Sequence, residues 1–229
     1  MKKQHEVKRQ RDLPAGDFSS WLRHARNALR TDGGTDVACG ECIGCCTSSY
    51  FIHIRPEEWD VLSRIAKDIP VAAPGLPQGH VLLGYDRKGV CPMLVERKCS
   101  IYEHRPSTCR QYDCRVFAAA GIAAGGGDKA RINERVRRWA FSYPTKGDRD
   151  EHRAVQAAAT FIREHAECFP GGRTPSDPSQ LAVLALKACG VFLGEGEASA
   201  AAAGAGADIA IADAVVAACR EFDARRGRT

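Results

Sequence analysis

Cys39-Gly-Glu-Cys42-Ile-Gly-Cys45-Cys46 overlays two C-x2-C steps and closes on an adjacent cysteine pair. A two-residue spacing lets one turn point both sulfurs at a single ion. Gly40 and Gly44 suit such a turn, because glycine takes positive φ and can direct backbone N–H groups toward sulfur. The adjacent pair adds a constraint: neighbouring side chains usually diverge, so either Cys45 and Cys46 serve different ions or only one of them is a ligand. With Gly33 and Gly34 just upstream, this stretch is irregular backbone.

Cys91, Cys99, Cys109 and Cys114 join Cys39, Cys42, Cys45 and Cys46, so eight of the eleven cysteines fall between positions 39 and 114. Uniform scatter would leave about four there. Eight thiols divide evenly into two tetrahedral S4 sites, which by ligand type suit zinc or an iron–sulfur cluster equally. Disulfides fit poorly, since the total is odd and the chain is long enough to build its own core. The bland alternative is that these are small buried hydrophobes. Arg97, Lys98, Arg105, Arg110 and Arg115 interleave the second half of the set, either stabilising thiolates or pairing with Glu96, Glu103 and Asp113. Cys168, Cys189 and Cys219 sit among alanines and leucines in helical patterns and read as packing residues. His53 and His104 are weaker candidates for replacing a thiol ligand.

At 229 residues, 44% hydrophobic and 27% charged, the composition is that of a folded domain and excludes collagen, coiled-coil rod and whole-chain disorder. No apolar run approaches the ~18 residues of a membrane span, and no apolar stretch follows the basic start, so the expectation is a cytoplasmic protein without membrane contact. The net charge of +5 resides mostly in the first thirty residues. Eight thiolates holding two divalent ions would bring it to about +1, which weakens the case for nucleic acid. Dinucleotide, Walker, zincin and serine-hydrolase motifs are missing.

Periodicity predicts an amphipathic helix over 17–30, a strand over 50–54, a helix from Pro56 to about Lys67 with Trp59, Leu62 and Ile65 inward, and a hairpin of 81–85 with 90–95 about Asp86-Arg-Lys-Gly89. A tight turn is expected at Arg105-Pro106. After Gly125-Gly-Gly127, taken as a linker, helix patterns run over about 128–140, 148–168, 178–193 and 207–225. The expected class is α+β: a small cysteine-rich metal-binding domain with short strands, plus a helical C-terminal extension. The expected organisation is a basic arm and helix (1–30), a cysteine-cluster domain (31–120), a helical region (121–193), and an Ala/Gly-rich linker with a terminal helix (194–229).

The CxxCxxCC run at 39–46, Cys91-Pro92 with Leu94 after it, and Cys99-x-Ile-Tyr-x-x-Arg-Pro-x-x-Cys-Arg at 99–110 resemble the YkgJ-type CxxCxxCC zinc- or iron-chelating cysteine-cluster family. The resemblance joins separated motifs in one order across about 36–116 and leaves the C-terminal helices uncovered. It implies a small domain that chelates zinc or an iron–sulfur cluster through these cysteines. A similar cysteine cluster occurs in bacterial flagellin lysine methylases, so the second function class is an iron–sulfur enzyme or electron carrier. The third is a zinc-stabilised nucleic-acid or protein adaptor using the basic arm.

Overall fold

The computed structural model describes residues 12–31, 33–35, 37, 39–194 and 205–225. The basic arm at 1–11 and the low-complexity stretch at 195–204 therefore lie outside the described residues. The architecture is α+β, with helices dominating and small two- and three-stranded sheets. Among the described residues no helix is long and apolar enough to cross a membrane.

Helix α1 (Phe18–Thr31) buries Phe18, Trp21, Leu22 and Ala25, the inward positions of a 3.6-residue repeat. Strand β1 (Leu13–Asp17), just before it, pairs in parallel with a distant strand (Trp139–Ser142), numbered β7 below. Two long helices receive α1: α6 (Lys146–Glu164) and α7 (Pro178–Ala188). Each starts on a side-chain cap. Thr145 and Asp148 form a reciprocal capping box on α6, and the Asp177 carboxylate accepts from Gln180 N at 3.0 Å with Pro178 in the first turn. Ala158, Ala159, Ala182 and Ala185 are fully buried, and such small side chains let α6 and α7 approach closely. The terminal helix α8 (Ala205–Ala224) packs Ala212 and Val215 on Phe161, Ile162 and Leu181.

The cysteine-rich part has a separate small core of Ile54, Val61, Ile65, Leu83, Met93 and Ile101, with Cys91 and Cys99 at its edge. Its strands β2 (Ile52–Ile54), β3 (Val71–Ala72) and β4 (Val81–Leu83) form an antiparallel sheet with β4 in the middle. A second ribbon pairs β5 (Leu94–Val95) with β6 (Lys98–Cys99). Short helices α3 (Ser107–Gln111), α4 (Arg115–Ala120) and α5 (Ala130–Val136) lead from the cysteines into the helical part.

Four expectations need correction. The helix expected over about 128–140 spans only α5, because Trp139 and Ala140, in β7, are drawn into parallel pairing with Leu13 and Pro14. The helix expected from Pro56 to Lys67 is a single turn, α2 (Trp59–Leu62). The Ser63 hydroxyl bonds Asp60 O at 2.7 Å, and the following backbone bonds shorten to three-residue turns. Val61, not Trp59, points inward, and Trp59 is 72% exposed. The hairpin about Asp86–Gly89 keeps its turn but not its strand pairing. Asp86 caps Lys88 N and Val90 N, yet β4 pairs with β2 and β3 while Cys91 N is drawn to Cys46 O at 2.8 Å. Gly125-Gly-Gly127 is a pinned turn rather than a linker: Asn133 accepts from Ala124 N at 2.7 Å and donates to Gly125 O at 3.0 Å, and Lys129 reaches Ser48 O.

Candidate metal centre

The loop at 39–46 is held by local bonds. Cys42 N donates to Cys39 O at 2.9 Å, Gly40 sits at φ +52, and Gly44 N donates to Cys42 Sγ at 3.4 Å. Gly40 thus takes the expected positive φ and Gly44 supplies the expected N–H···S contact, but Gly44 itself is right-handed at φ −51. Gly44 is also buried, and a Cβ there would touch Ile132 and Cys42 Sγ at 3.4–3.5 Å. The Cys91 N to Cys46 O bond and the register of Leu94 with Cys99 bring Cys46, Cys91 and Cys99 onto one side of the small core. Helix α3, capped where Ser107 N and Oγ meet the Glu58 carboxylate at 2.6 and 3.1 Å, delivers Cys109. Cys114 comes from the start of α4, buried, with the Trp139 indole N–H donating to its sulfur at 3.2 Å.

Neighbouring thiols raise one another: Cys39 and Cys42 act on Cys45 and Cys114, Cys46, Cys91 and Cys99 act on Cys109, and Cys46 is raised from both sides, by Cys91 and Cys99 and by Cys39 and Cys42. Burial is the leading cause of every thiol shift here, and the neighbouring thiols add to it. Cys46 and Cys109 are pushed up to about 12 and Cys114 to about 11, while Cys45 lies well above the ordinary range. Cys39 is raised by burial and Cys42, partly offset by Arg105 and Arg135. Among the described residues no three Cys, His, Asp or Glu side chains already enclose an ion. The thiols share a region without converging on a point. Crowded, half-buried thiols that oppose each other's ionisation are the donor set a soft cation deprotonates and binds, so the residues fit such an ion.

Of the arginines expected to serve the thiols, Arg105 does act on Cys39 and Cys109, while its guanidinium lies over the Tyr102 ring. Arg110 turns to Arg105 O and stands 3.9 Å from Glu58, and Arg115 pairs with Asp113 at 2.8 Å. His53 is hydrogen-bonded to His80 at 2.8 Å, a partner visible in the sequence only once β2 and β4 are paired, because His80 lies two residues before Leu82, the residue opposite His53, and is therefore His53's diagonal neighbour. Cys189 and Cys219 pack in the helical part, Cys189 accepting from Arg26 at 3.2 Å. Cys168 lies at the edge of the core under α8.

Residues 38–131 match the family model CxxCxxCC, described as "Putative zinc- or iron-chelating domain". This segment is similar to that family. The match spans all eight clustered cysteines, ends inside α5, and supports a generic metal-binding role. No curated protein and no solved structure matches the chain. The matched segment shares the main core with the helices that follow α5.

Proposed function

We propose that the chain is a metalloprotein whose CxxCxxCC domain holds two four-thiolate sites, one formed by Cys39, Cys42, Cys45 and Cys114 and the other by Cys46, Cys91, Cys99 and Cys109. What supports this is the backbone placement of the thiols: Cys39 and Cys42 share the Gly40 turn, while the Cys91 N to Cys46 O bond and the β5–β6 register gather Cys46, Cys91 and Cys99. In this reading the adjacent Cys45 and Cys46 serve different ions. Zinc bound there would cross-link loops that have little core of their own, and iron would add electron transfer. The protein's own contribution is positional. Gly44 N–H and the Trp139 indole donate to sulfur, and Arg105 and Arg135 lessen the repulsion around Cys39.

Anaerobic, chelator-free preparation followed by elemental analysis tests the reading, and a visible spectrum separates zinc from iron–sulfur. Two zinc ions, or one iron–sulfur cluster per set, are expected in the wild type, with Cys42→Ser and Cys109→Ser each retaining about half. A wild type free of zinc, iron and other thiophilic metals would overturn it.

A further inference from the structure

Beside the Cys39–Gly44 loop lies a cavity of about 600 Å³, and its other walls carry four guanidiniums: Arg97, Arg131, Arg135 and Arg138. Three come from one short helix and the residues just past it. Arg131, Arg135 and Arg138 recur at helical spacing along α5 and just past it, while Ile132 and Val136, on the other face, are buried in the main core. The fourth comes from the β5–β6 ribbon, whose two-residue turn, Glu96-Arg97, takes left-handed backbone at both positions (φ 47 and 62). That is the mirror-image turn a tight hairpin favours, usually filled by Asn or Gly. Here it brings Arg97 to the cavity wall.

The charges do not cancel within the site. Glu41 and Glu134 line the same cavity, yet among the described residues neither Arg97 nor Arg131 makes an ion pair. Arg135 lies over the Trp139 ring at 4.8 Å and acts on Cys39, so the counter-charge role toward the thiols already has an occupant. Leu13 and Ile43 supply apolar wall. The volume falls in the range of small-molecule sites. Guanidinium forks match phosphate oxygens in bidentate pairs, and several forks around one mouth suit a multiply charged group better than a single carboxylate.

We propose that this cavity binds an organic phosphate, with Arg97 and Arg131 gripping the phosphate and Leu13 and Ile43 facing the organic part. The guanidiniums and the cavity make this site, whichever metal the thiols hold.

Calorimetric titration of the full chain as purified, with phenyl phosphate as probe and citrate as carboxylate comparison, tests it. Saturable binding of phenyl phosphate is expected, weakened at least tenfold in Arg97→Gln/Arg131→Gln. It should be unchanged in Arg149→Gln/Arg163→Gln, which removes the same charge from the exposed face of α6. Both cavity positions are exposed, and Arg97→Gln alone carries the comparison should the double variant fail to fold. No saturation by the wild type, equal weakening in the α6 control, or citrate binding as tightly as phenyl phosphate would overturn the proposal. So would a fall in bound metal in the cavity variant, which would make these arginines counter-charges to the thiolates.

Discussion

The indole N–H of Trp21 donates to the Asp113 carboxylate at 3.0 Å, joining α1 to the residue before Cys114. Asp113 is buried, and it also receives Arg115 N and Nε at 2.9 Å, with the Arg115 guanidinium 2.8 Å away. One carboxylate thus positions the start of α4, and with it a proposed ligand, against the helical core. Asp113→Ala takes the carboxylate from a mostly buried guanidinium that keeps only its bond to Ala15 O and its other neutral contacts, and leaves the Trp21 indole without its acceptor, and should cost about 3 kcal/mol. Trp21→Phe keeps most of the apolar contact, loses one hydrogen bond and should cost about 1 kcal/mol. Urea unfolding measures both, and equal effects would mean that Asp113 does not organise the junction.

How much of this was legible in the sequence follows from which forces are local. Helices α1, α6 and α7 were readable because their inward residues repeat every three to four positions and their ends carry caps such as Asp177-Pro178. The ligand candidates were readable because cysteine chemistry is carried by the residue itself. What could not be read depends on partners far along the chain. The β1–β7 pairing joins Leu13 to Trp139, and His80 acquires meaning only through strand register. Arg131, Arg135 and Arg138 look like an ordinary solvated face until the 39–44 loop and Arg97 are placed opposite them.

Stability should fall on mild acidification through His152. Its ring stacks on Phe18 at 4.3 Å and its Nδ1 meets the Tyr143 hydroxyl at 2.7 Å. Burial lowers its folded pKa below the ordinary 6.5, so between the two values the unfolded chain binds more protons. The contribution is complete above about 6.5 and shrinks as pH falls toward the depressed folded value. His152→Phe should flatten the slope of the urea midpoint between pH 7 and 5.5, and an unchanged slope would assign that window to other groups.

A second acid-sensitive contact lies at a lower pH. The Asp148 carboxylate, depressed first by its Thr145 hydroxyl bond and then by Ser19 N, ties the starts of α6 and α1 together, with Ser19 N donating at 3.0 Å. Its stabilisation is present above the ordinary carboxylate value of 3.8 and is lost as pH falls toward its lower folded value. Asp148→Asn should lower the melting temperature at pH 7, and the gap from wild type should begin to narrow below the ordinary value of 3.8 and close only as pH falls toward the depressed folded value. A gap that does not narrow at all below pH 3.8 would trace the loss to packing.

Cys189 separates packing thiols from ligands. It is buried beside Leu186, donating to the Leu186 carbonyl at 3.4 Å while accepting from Arg26. Cys189→Ala should keep the full metal content and cost about 1–2 kcal/mol for the small cavity and the lost contacts. Elemental analysis showing an emptied site in this variant would move Cys189 into the ligand set.

Removing the metal should divide the molecule along its cores. The cysteine-rich part rests on six buried hydrophobic residues, from Ile54 to Ile101, whereas the helical part has two larger clusters of its own. Structural ions can supply ~10 kcal/mol or more to a small site, far beyond what so limited a core provides. Chelation should therefore raise hydrogen exchange throughout β2, β4, β5 and β6 while α6 and α7 stay protected. The junction gives an independent readout, because Trp139 donates to Cys114 and Trp21 to its neighbour Asp113. Tryptophan emission should shift as those two indoles lose their partners, with helical circular dichroism from α6 and α7 largely retained. If the strands keep their protection and the emission does not move after the metal is gone, the ions do not hold this half of the protein together.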